Sequence, residues 1–320
     1  MTLIAAFQCD RAVVICADSQ ETVGDYHVTV DKIKPQDAGH YQMVIGGAGE
    51  SGPLIDRFTL DLIRAAQQWP ENLTPTDIEN RLGALLQVFH LTHVVASSYQ
   101  SSDFAFIVCV KGKANQEIGL WELRDTVALP VMSYSLIGWE ESLYHHELKW
   151  LYRGRPWIGQ AVQLGLRLFT MAKATSNYIG GPTQVIVVRD NGMHVETPAD
   201  VALLESRIAE FNDALAGLVL ACPDVSIHNA GFRELLAVFE DRVIGLREHY
   251  TGRSAIASLV EAVTNPESQG QSYPALPFGS MNVVPRQPDI VAEGSSHHAR
   301  PREEAPTWPA DSSQPERESD

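Results

Sequence analysis

The amino-acid sequence predicts an α+β fold of four layers, in which two antiparallel sheets pack face to face between outer layers of helices. Segments alternate in blocks of strands, two helices, strands, two helices and strands, unlike the strict strand–helix alternation of a parallel sheet. The run Val13–Ala17 is apolar throughout, as expected of a strand covered on both faces. A length of 320 residues, of which 44% are hydrophobic, is enough for a sizeable buried core.

The first block is predicted to contain four strands followed by two helices. The strands have the sequences TLIAAFQC, AVVICADSQ, YHVTVDKIK and YQMVIGGAG. The first helix, over residues 53–69, has apolar residues at helical spacing along one face. The second begins within TPTDIENRL, where Thr76 and Glu79 fit the spacing of a capping box, and extends to Phe89.

The second block repeats this order. Strands are predicted in DFAFIVCVKG, LWELRD and VMSYSLIGW, and helices over residues 140–152 and 157–174. The segment TQVIVVRDNGMHVE is predicted to form a hairpin with its turn at Asp190-Asn191-Gly192. Two further helices, over residues 200–221 and 232–250 with a short extension to about residue 263, would add a C-terminal helical segment.

Composition divides the chain into three parts. Residues 1–199 are predicted to form the sandwich, residues 200–265 a helical extension and residues 266–320 a disordered tail. The last 55 residues contain nine of the 18 prolines together with many Ser, Glu and Gln residues, and they show no apolar periodicity. Such a segment buries too little apolar surface to offset the entropy lost on ordering.

Charge and cysteine content exclude several classes of function. The formal net charge of -16 disfavours nucleic acid and anionic membranes as partners, because phosphate recognition needs clustered Lys and Arg. The four cysteines are scattered and no phosphate-binding glycine motif occurs, so neither a metal nor a cofactor is predicted. The start of the chain lacks the basic region and the long apolar run of a signal peptide, which predicts a cytoplasmic protein.

Thr2 is the candidate nucleophile. Initiator methionine is commonly removed before a small residue, and a free N-terminal threonine combines an attacking hydroxyl with an α-amine of ordinary pKa about 8 as base. Asp18 follows at the end of an apolar strand, Lys32 and Lys34 lie in one extended segment, and the glycine-rich IGGAGESG ends a strand just before a helix. A lysine held by an aspartate would favour the threonine alkoxide, and N–H groups of a glycine turn would hold an oxyanion.

Together these elements resemble the proteasome β-type branch of the N-terminal nucleophile (Ntn) hydrolases, including the simpler bacterial proteasome-like ring peptidases. The family pattern corresponds here to Thr2, Ala17-Asp18-Ser19, Gly24-Asp25-Tyr26, Lys32-Ile33 and Gly46-Gly47. The resemblance extends to about residue 197. It implies the Ntn hydrolase fold and a mature chain made by methionine removal alone.

The resemblance also implies two sets of site residues. The catalytic set is Thr2, Asp18, Lys32, Gly46 and Gly47, and the substrate pocket includes Val44 and Ala48. Spacing leaves the choice of lysine open. Counting forward from Asp18 favours Lys34, whereas counting back from Gly46 favours Lys32, which is followed by an aliphatic residue.

The supporting residues depart from the family pattern. Trp139 occupies the place of a serine beside the threonine amine, and Ser176 and Ile179 replace an acidic residue and a second serine. By analogy with the outer shell of metal sites, loss of such support lowers activity by about 10–100-fold. The sequence therefore leaves open whether the site is fully active, weak or vestigial.

The function implied by the resemblance is that of a proteasome-like threonine peptidase or amide hydrolase. Its substrate would be a peptide or another amide, it would form a homo-oligomeric ring or spiral, and an unfoldase could be its partner. Two alternatives remain. One is a catalytically weak or inactive assembly subunit with the same fold, favoured by Trp139 and Ile179. The other is an amidohydrolase of the same superfamily that acts on a small metabolite.

Truncation after Asn265 is predicted to leave the melting temperature unchanged, because the predicted tail has no apolar face that could dock on a folded domain. Thermal unfolding of the truncated and full-length chains tests this expectation. A loss of more than a few degrees in the truncated chain would contradict the prediction of a disordered tail.

Overall fold

The computed structural model describes residues 2–23, 26–95, 104–152 and 154–264, without the side chains of Val23 and of residues 253–264. It confirms the predicted α+β architecture, with two five-stranded antiparallel sheets flanked by helices. The predicted tail over residues 266–320 lies outside the described residues, as do Gly24 and Asp25 of the family pattern. The division into three parts therefore stays a prediction.

Twelve strands and six helices make up the described part of the chain. The strands are β1 (Leu3–Gln8), β2 (Ala12–Ala17), β3 (Gln20–Val23), β4 (Tyr26–Thr29), β5 (Ile33–Ala38), β6 (Tyr41–Gly49), β7 (Phe104–Gly112), β8 (Ile118–Arg124), β9 (Val127–Pro130), β10 (Tyr134–Gly138), β11 (Gln184–Arg189) and β12 (Gly192–Val195). The helices are α1 (Gly52–Ala66), α2 (Pro75–Phe89), α3 (Glu141–Leu151), α4 (Ile158–Thr175), α5 (Pro198–Ala221) and α6 (Asn229–Thr264). A π-helical turn, His90–Val95, follows α2.

Hydrogen bonding orders the strands into three sheets. The first sheet has the order β10-β1-β2-β11-β12, and the second has the order β5-β6-β7-β8-β9. The short strands β3 and β4 form a two-stranded sheet of their own. All neighbouring strands are antiparallel.

Three apolar layers hold the sandwich together. The middle layer lies between the two large sheets and includes Ile4, Ile15, Ile33, Val44 and Ile107. One outer layer packs α1 and α2 on the second sheet, and the other packs α3, α4 and part of α5 on the first sheet. Successive residues of a strand face opposite sides of its sheet, so β1 and β2 contribute to two layers and are buried along nearly their whole length.

The prediction of YHVTVDKIK as one strand is wrong. Residues 26–29 form β4, which is exposed and pairs with β3, whereas β5 begins at Ile33 and pairs with β6. The break coincides with a contact from a distant residue, because the backbone N–H groups of Lys32 and Ile33 both donate to the side chain of Gln184. The two halves of the segment therefore belong to different sheets.

The capping box of α2 lies two residues before the predicted one. It is formed by Thr74 and Asp77, each of which accepts a hydrogen bond from the other's backbone N–H, at 3.2 and 3.1 Å. Pro75 is the first residue of the helix, a position where the missing N–H of proline costs nothing. The prediction at Thr76 and Glu79 is wrong because it did not use this signal.

The last helix of the C-terminal segment is continuous, where the sequence predicted a helix and a short extension. The two pieces predicted over residues 232–250 and up to about 263 form the single 36-residue helix α6. The preceding helix α5 is joined to the sandwich by Glu205, which accepts hydrogen bonds from Lys173 on α4 and from Thr183 before β11. None of the helices in the described ranges is both long and apolar enough to cross a membrane.

The helix α4 approaches β2 closely at Gly165. A Cβ atom at this position would lie 2.5 Å from the Sγ atom of Cys16, which is too close for a side chain to fit unchanged. Both residues are buried in the outer layer on the first sheet. The absence of a side chain at Gly165 therefore sets the distance between this helix and the central strands.

A pair of matched substitutions tests this contact. Gly165→Ala is expected to lower the free energy of unfolding by about 1–3 kcal/mol, because the new methyl group overlaps Cys16. A Cβ atom at Gly217 in α5 would meet no described atom within 4 Å. Gly217→Ala is therefore expected to raise the free energy of unfolding by about 0.5–1 kcal/mol through helix propensity. Urea unfolding followed by circular dichroism measures both, and a stabilised Gly165→Ala variant would contradict the close contact.

Candidate active site

The candidate site lies at one end of the sandwich, where strands of both large sheets begin or end. Thr2 precedes β1, Asp18 follows β2, Lys32 precedes β5 and Gly138 ends β10. The antiparallel register brings these termini together, because Leu3 pairs with Gly138 while Ala17 pairs with both Ile4 and Gln184. Each functional position is thus fixed by a strand end and not by a long loop.

Asp18 lies at the centre of this site. Its side chain is fully buried, and its Oδ1 atom accepts a hydrogen bond from the backbone N–H of Leu3 at 2.9 Å. Its Oδ2 atom accepts from Lys32 Nζ at 2.8 Å and from the backbone N–H of Gln20 at 3.2 Å. A buried carboxylate needs such partners, so this one group ties together the starts of β1 and β3 and the residue before β5.

The structure brings Lys32 to Asp18, and it leaves Lys34 exposed on β5. The side chain of Lys32 is only 6% exposed. Burial lowers the pKa of Lys32 below its ordinary value, although the neighbouring Asp18 acts in the opposite direction. Of the two lysines that spacing left open, Lys32 is therefore the one whose buried side chain pairs with Asp18.

Gln184 holds the backbone at this lysine, and sequence reasoning missed it. Its Oε1 atom accepts from the backbone N–H groups of Lys32 and Ile33 at 2.8 and 3.3 Å, and its Nε2 atom donates to Asp31 at 2.7 Å. A glutamine at the first position of a predicted strand gives no signal of such a role. The role depends on the pairing of β11 with β2, which the sequence does not specify.

Thr2 is held through its backbone carbonyl. The oxygen accepts a hydrogen bond from the backbone N–H of Trp139 at 2.9 Å. The preceding residue, Gly138, has a φ of 112°, and a Cβ atom there would collide with the carbonyl of Thr2. Only glycine fits this turn, because it alone combines a positive φ with the close approach of another backbone.

The expected glycine turn before a helix does not form. Gly46 and Gly47 lie within β6, which continues to Gly49, and α1 begins at Gly52. The predicted strand YQMVIGGAG already reaches Gly49, so the error lies in the expectation that Gly46 and Gly47 form a turn. The ladder between β5 and β6 nevertheless stops at the pair Ile33 and Gly46, so Gly47 extends past the end of β5.

Both glycines also have a packing role that the sequence did not indicate. A Cβ atom at Gly46 would lie 2.8 Å from the side chains of Ile4 and Ile33, so the two sheets approach each other closely at this point. A Cβ atom at Gly47 would lie 2.5 Å from the side chain of Ile55 on α1. Gly46 and Gly47 therefore lie where neighbouring side chains pack closely against both faces of β6.

The predicted pocket residues lie on the face of β6 that meets the first sheet. Ala48 is at the site end, and its Cβ atom would lie 3.3 Å from a Cβ atom at Gly138. Val44 is deeper in the middle layer and is fully buried. The structure thus brings Ala48 to the strand ends that surround Thr2, whereas Val44 lies four residues further into the sandwich.

The supporting side of the site is largely apolar. The ring of Trp139 packs against that of Tyr178 with 5.0 Å between ring centroids, and Ile179 is 3% exposed within the outer apolar layer. The hydroxyl of Ser176 accepts a hydrogen bond from the backbone N–H of Tyr178 at 3.3 Å. These contacts agree with the departures from the family pattern that the sequence indicates at the same three positions.

A cavity of about 250 Å³ lies away from this site. It is lined by Gln8, Arg11, Ala12, Gln116, Ile118 and Asp190. Gln8 ends the strand that Thr2 precedes, so the cavity is at the opposite end of the sandwich. Within the described residues, no group of three or more His, Cys, Asp or Glu side chains is arranged to hold a metal ion.

The fold is similar to solved structures of Anbu (ancestral β-subunit) proteins. The protein from Yersinia bercovieri is 15% identical, with a TM-score of 0.56 over 71% of this chain and 100% of that chain. The one from Hyphomicrobium sp. strain MC1 is 17% identical, with a TM-score of 0.53 over 71% and 100%. The helical assembly of the Anbu complex from Pseudomonas aeruginosa is 14% identical, with a TM-score of 0.57 over 72% and 99%. No protein-family model and no curated protein matches the chain.

These structures correct the family that the sequence suggested. Anbu proteins are related to the proteasome-like Ntn hydrolases but form a distinct family, so the assignment to the proteasome β-type branch and the bacterial proteasome-like peptidases is wrong. The motif residues that suggested it are compatible with the wider fold and do not separate its branches. At 14–17% identity the likeness establishes the fold alone.

The buried ion pair yields a stability prediction. Lys32→Met is expected to lower the free energy of unfolding by about 3–5 kcal/mol, because Asp18 is left buried without its counter-charge. The matched variant Lys34→Met changes an exposed lysine and is expected to stay within about 0.5 kcal/mol of wild type. Urea unfolding at neutral pH compares the two, and equal losses would contradict the special position of Lys32.

Proposed function

We propose that the protein is an N-terminal threonine hydrolase that cleaves peptide or related amide bonds, with Thr2 exposed by removal of Met1. The observation that supports this most directly is the bond from the Leu3 N–H to the Asp18 carboxylate, which is paired with Lys32. This contact links a buried charge pair to the residue next to the proposed nucleophile.

In the proposed reaction, the hydroxyl oxygen of Thr2 attacks the carbonyl carbon of the amide while the α-amine takes up the hydroxyl proton. The tetrahedral intermediate then breaks its C–N bond, the leaving amine receives that proton, and an ester of Thr2 remains. Water attacks the ester and passes its proton through the same amine. The C–O bond to Thr2 breaks, which restores the hydroxyl and releases the acid.

Lys32 and the glycines of β6 would stabilise the charges of this reaction. A buried ammonium group near Thr2 favours the alkoxide form of the hydroxyl, and Asp18 keeps the lysine in place. Gly47 extends past the end of β5, and we propose that the backbone in the Gly46–Gly47 segment supplies the oxyanion donor. Ala48 beside the turn, with Val44 behind it, would form the apolar wall of the substrate pocket.

A second candidate function is that of an assembly subunit with weak or no turnover. It is favoured by Ile179, which places an apolar side chain in the outer layer where an Ntn hydrolase of the proteasome type would have a polar group. The helical assembly of the Pseudomonas aeruginosa Anbu complex supports the proposal that this chain also associates with itself. A cytoplasmic location and an unfoldase partner stay predictions from the sequence.

Covalent labelling tests the role of Thr2. The purified protein is expected to lack Met1 by intact mass and to react with a β-lactone or epoxyketone probe, because such electrophiles trap a paired hydroxyl and amine. Peptide mapping should locate the adduct on Thr2. The variant Thr2→Ala should lose all labelling, and the control Thr92→Ala, which changes an exposed threonine, should retain it.

Three results separate the two candidate functions. A retained Met1, or equal labelling of Thr2→Ala and wild type, would contradict the nucleophile role of Thr2. A processed protein that neither reacts with the probe nor hydrolyses small peptide amides would favour the assembly subunit. Labelling together with slow hydrolysis would support an enzyme whose turnover is limited by the apolar replacements among its supporting residues.

A further inference from the structure

A cluster of charged side chains crosses between the two large sheets beside the candidate site, and the proposed reaction does not use it. Arg124, at the end of β8, binds Glu122 of the same strand with 3.1 Å between Nε and Oε1. Its Nη2 atom lies 2.9 Å from Oε2 of Glu141, the first residue of α3. Because α3 follows the edge strand of the first sheet, this ion pair joins the second sheet to the first.

The carboxylate of Glu141 also binds the turn that holds Thr2. The same oxygen, Oε2, accepts a hydrogen bond from the backbone N–H of Gly138 at 3.2 Å. The next backbone N–H, that of Trp139, donates to the carbonyl of Thr2. A continuous chain of contacts therefore runs from Arg124 through Glu141 and the turn to Thr2.

This turn has a backbone that needs support. Gly138 has a φ of 112° and Glu140 has a φ of 54°, so two of its three residues lie in the left-handed region. Such conformations cost free energy, above all for a residue with a side chain, and they persist only where the surroundings hold them. The hydrogen bond from Gly138 to Glu141 spans this strained segment.

The cluster is partly buried between the two sheets, with the side chains of Glu122, Arg124 and Glu141 24%, 35% and 26% exposed. Residues 121 and 123 of β8 are buried in the outer layer, so Glu122 and Arg124 face the first sheet. Glu122 accepts a hydrogen bond at 2.7 Å from the hydroxyl of Ser135, a residue of β10 that is 2% exposed. The hydrogen bond that Arg124 donates to the Glu141 carboxylate raises the pKa of Arg124 above its ordinary value, so the guanidinium stays charged. The cluster is a fixed polar link between the sheets.

We propose that Glu141 is a positioning residue for Thr2, which acts by holding the turn at Gly138 and Trp139 while Arg124 holds it from the opposite sheet. The proposal rests on the proposed function of Thr2. Loss of the carboxylate lets the strained turn relax and moves the carbonyl of Thr2, and with it the hydroxyl. Glu141 is not itself part of the proposed substrate pocket on β6, so kcat is expected to fall by a larger factor than KM rises.

Four variants test this role. Glu141→Ala removes the acceptor for the Gly138 N–H, whereas Glu141→Gln retains an oxygen that can accept the same bond. Arg124→Met leaves Glu141 in place but removes the guanidinium group that binds its carboxylate. Lys113→Met is the matched control, because it removes an ion pair with Asp37 at the far end of the second sheet.

Two readouts are compared for every variant. The first is the rate at which a β-lactone labels Thr2, and the second is amide hydrogen exchange resolved at Trp139. Glu141→Ala is expected to slow labelling by about tenfold or more and to speed exchange at Trp139, in the range known for loss of supporting groups. Glu141→Gln should keep most of the wild-type behaviour, Arg124→Met should be intermediate, and Lys113→Met should change neither readout.

The outcomes separate this proposal from the function on which it rests. Unchanged exchange at Trp139 in Glu141→Ala, or a Gln variant as impaired as the Ala variant, would overturn the positioning role. If Glu141→Ala does not fold, Arg124→Met decides, and wild-type values for both readouts would overturn the proposal. If the wild-type protein is not labelled at Thr2, the proposed function fails, and the exchange data alone then decide whether Glu141 holds the turn.

Discussion

The buried carboxylate of Asp18 is the constraint on which the site depends. A charged group without exposure is tolerated only when its oxygens are hydrogen-bonded and its charge is paired. Its donors come from three separate places, the N–H of Leu3, the N–H of Gln20 and the ammonium of Lys32. Satisfying this single group sets the relative positions of two sheets and a hairpin, so the same contacts serve the stability of the fold and the proposed chemistry of Thr2.

The layers of the fold could be predicted because their signals are local. The apolar run of β2 and the helical spacing of apolar residues in α1 both reflect burial. Each signal lies within a few neighbouring residues and does not depend on which distant segment covers them. Two of the errors occur where a distant group replaces a local partner. Gln184 interrupts the predicted strand before Ile33, and the opposing sheet, not a turn, explains the glycines of β6.

Thr2 and Asp18 could be named as candidates from the sequence because they combine a specific chemistry with a specific spacing. Gln184 could not be named in this way, because it binds backbone N–H groups 152 and 151 positions away that strand pairing brings near. Glu141 binds the Gly138 N–H only three residues away, but its proposed link to Thr2 runs through the Trp139 N–H, which the pairing of β1 with β10 brings to Thr2. The family assignment failed for a related reason. Residues that serve a common fold are shared by its branches, so they reveal the fold and leave the branch undetermined.

The hydrogen bond that holds the Thr2 carbonyl has a consequence for the timing of the proposed removal of Met1. The donor of this bond, the N–H of Trp139, is synthesised more than a hundred residues after Thr2. The bond therefore cannot form until β10 has left the ribosome. At ordinary rates of translation that interval is on the order of 10 s. During this time β1 can pair only with β2, and its other edge has no neighbour. The Thr2 carbonyl is hydrogen-bonded in the folded protein. It is unbound during the interval in which a methionine aminopeptidase would act on the nascent chain.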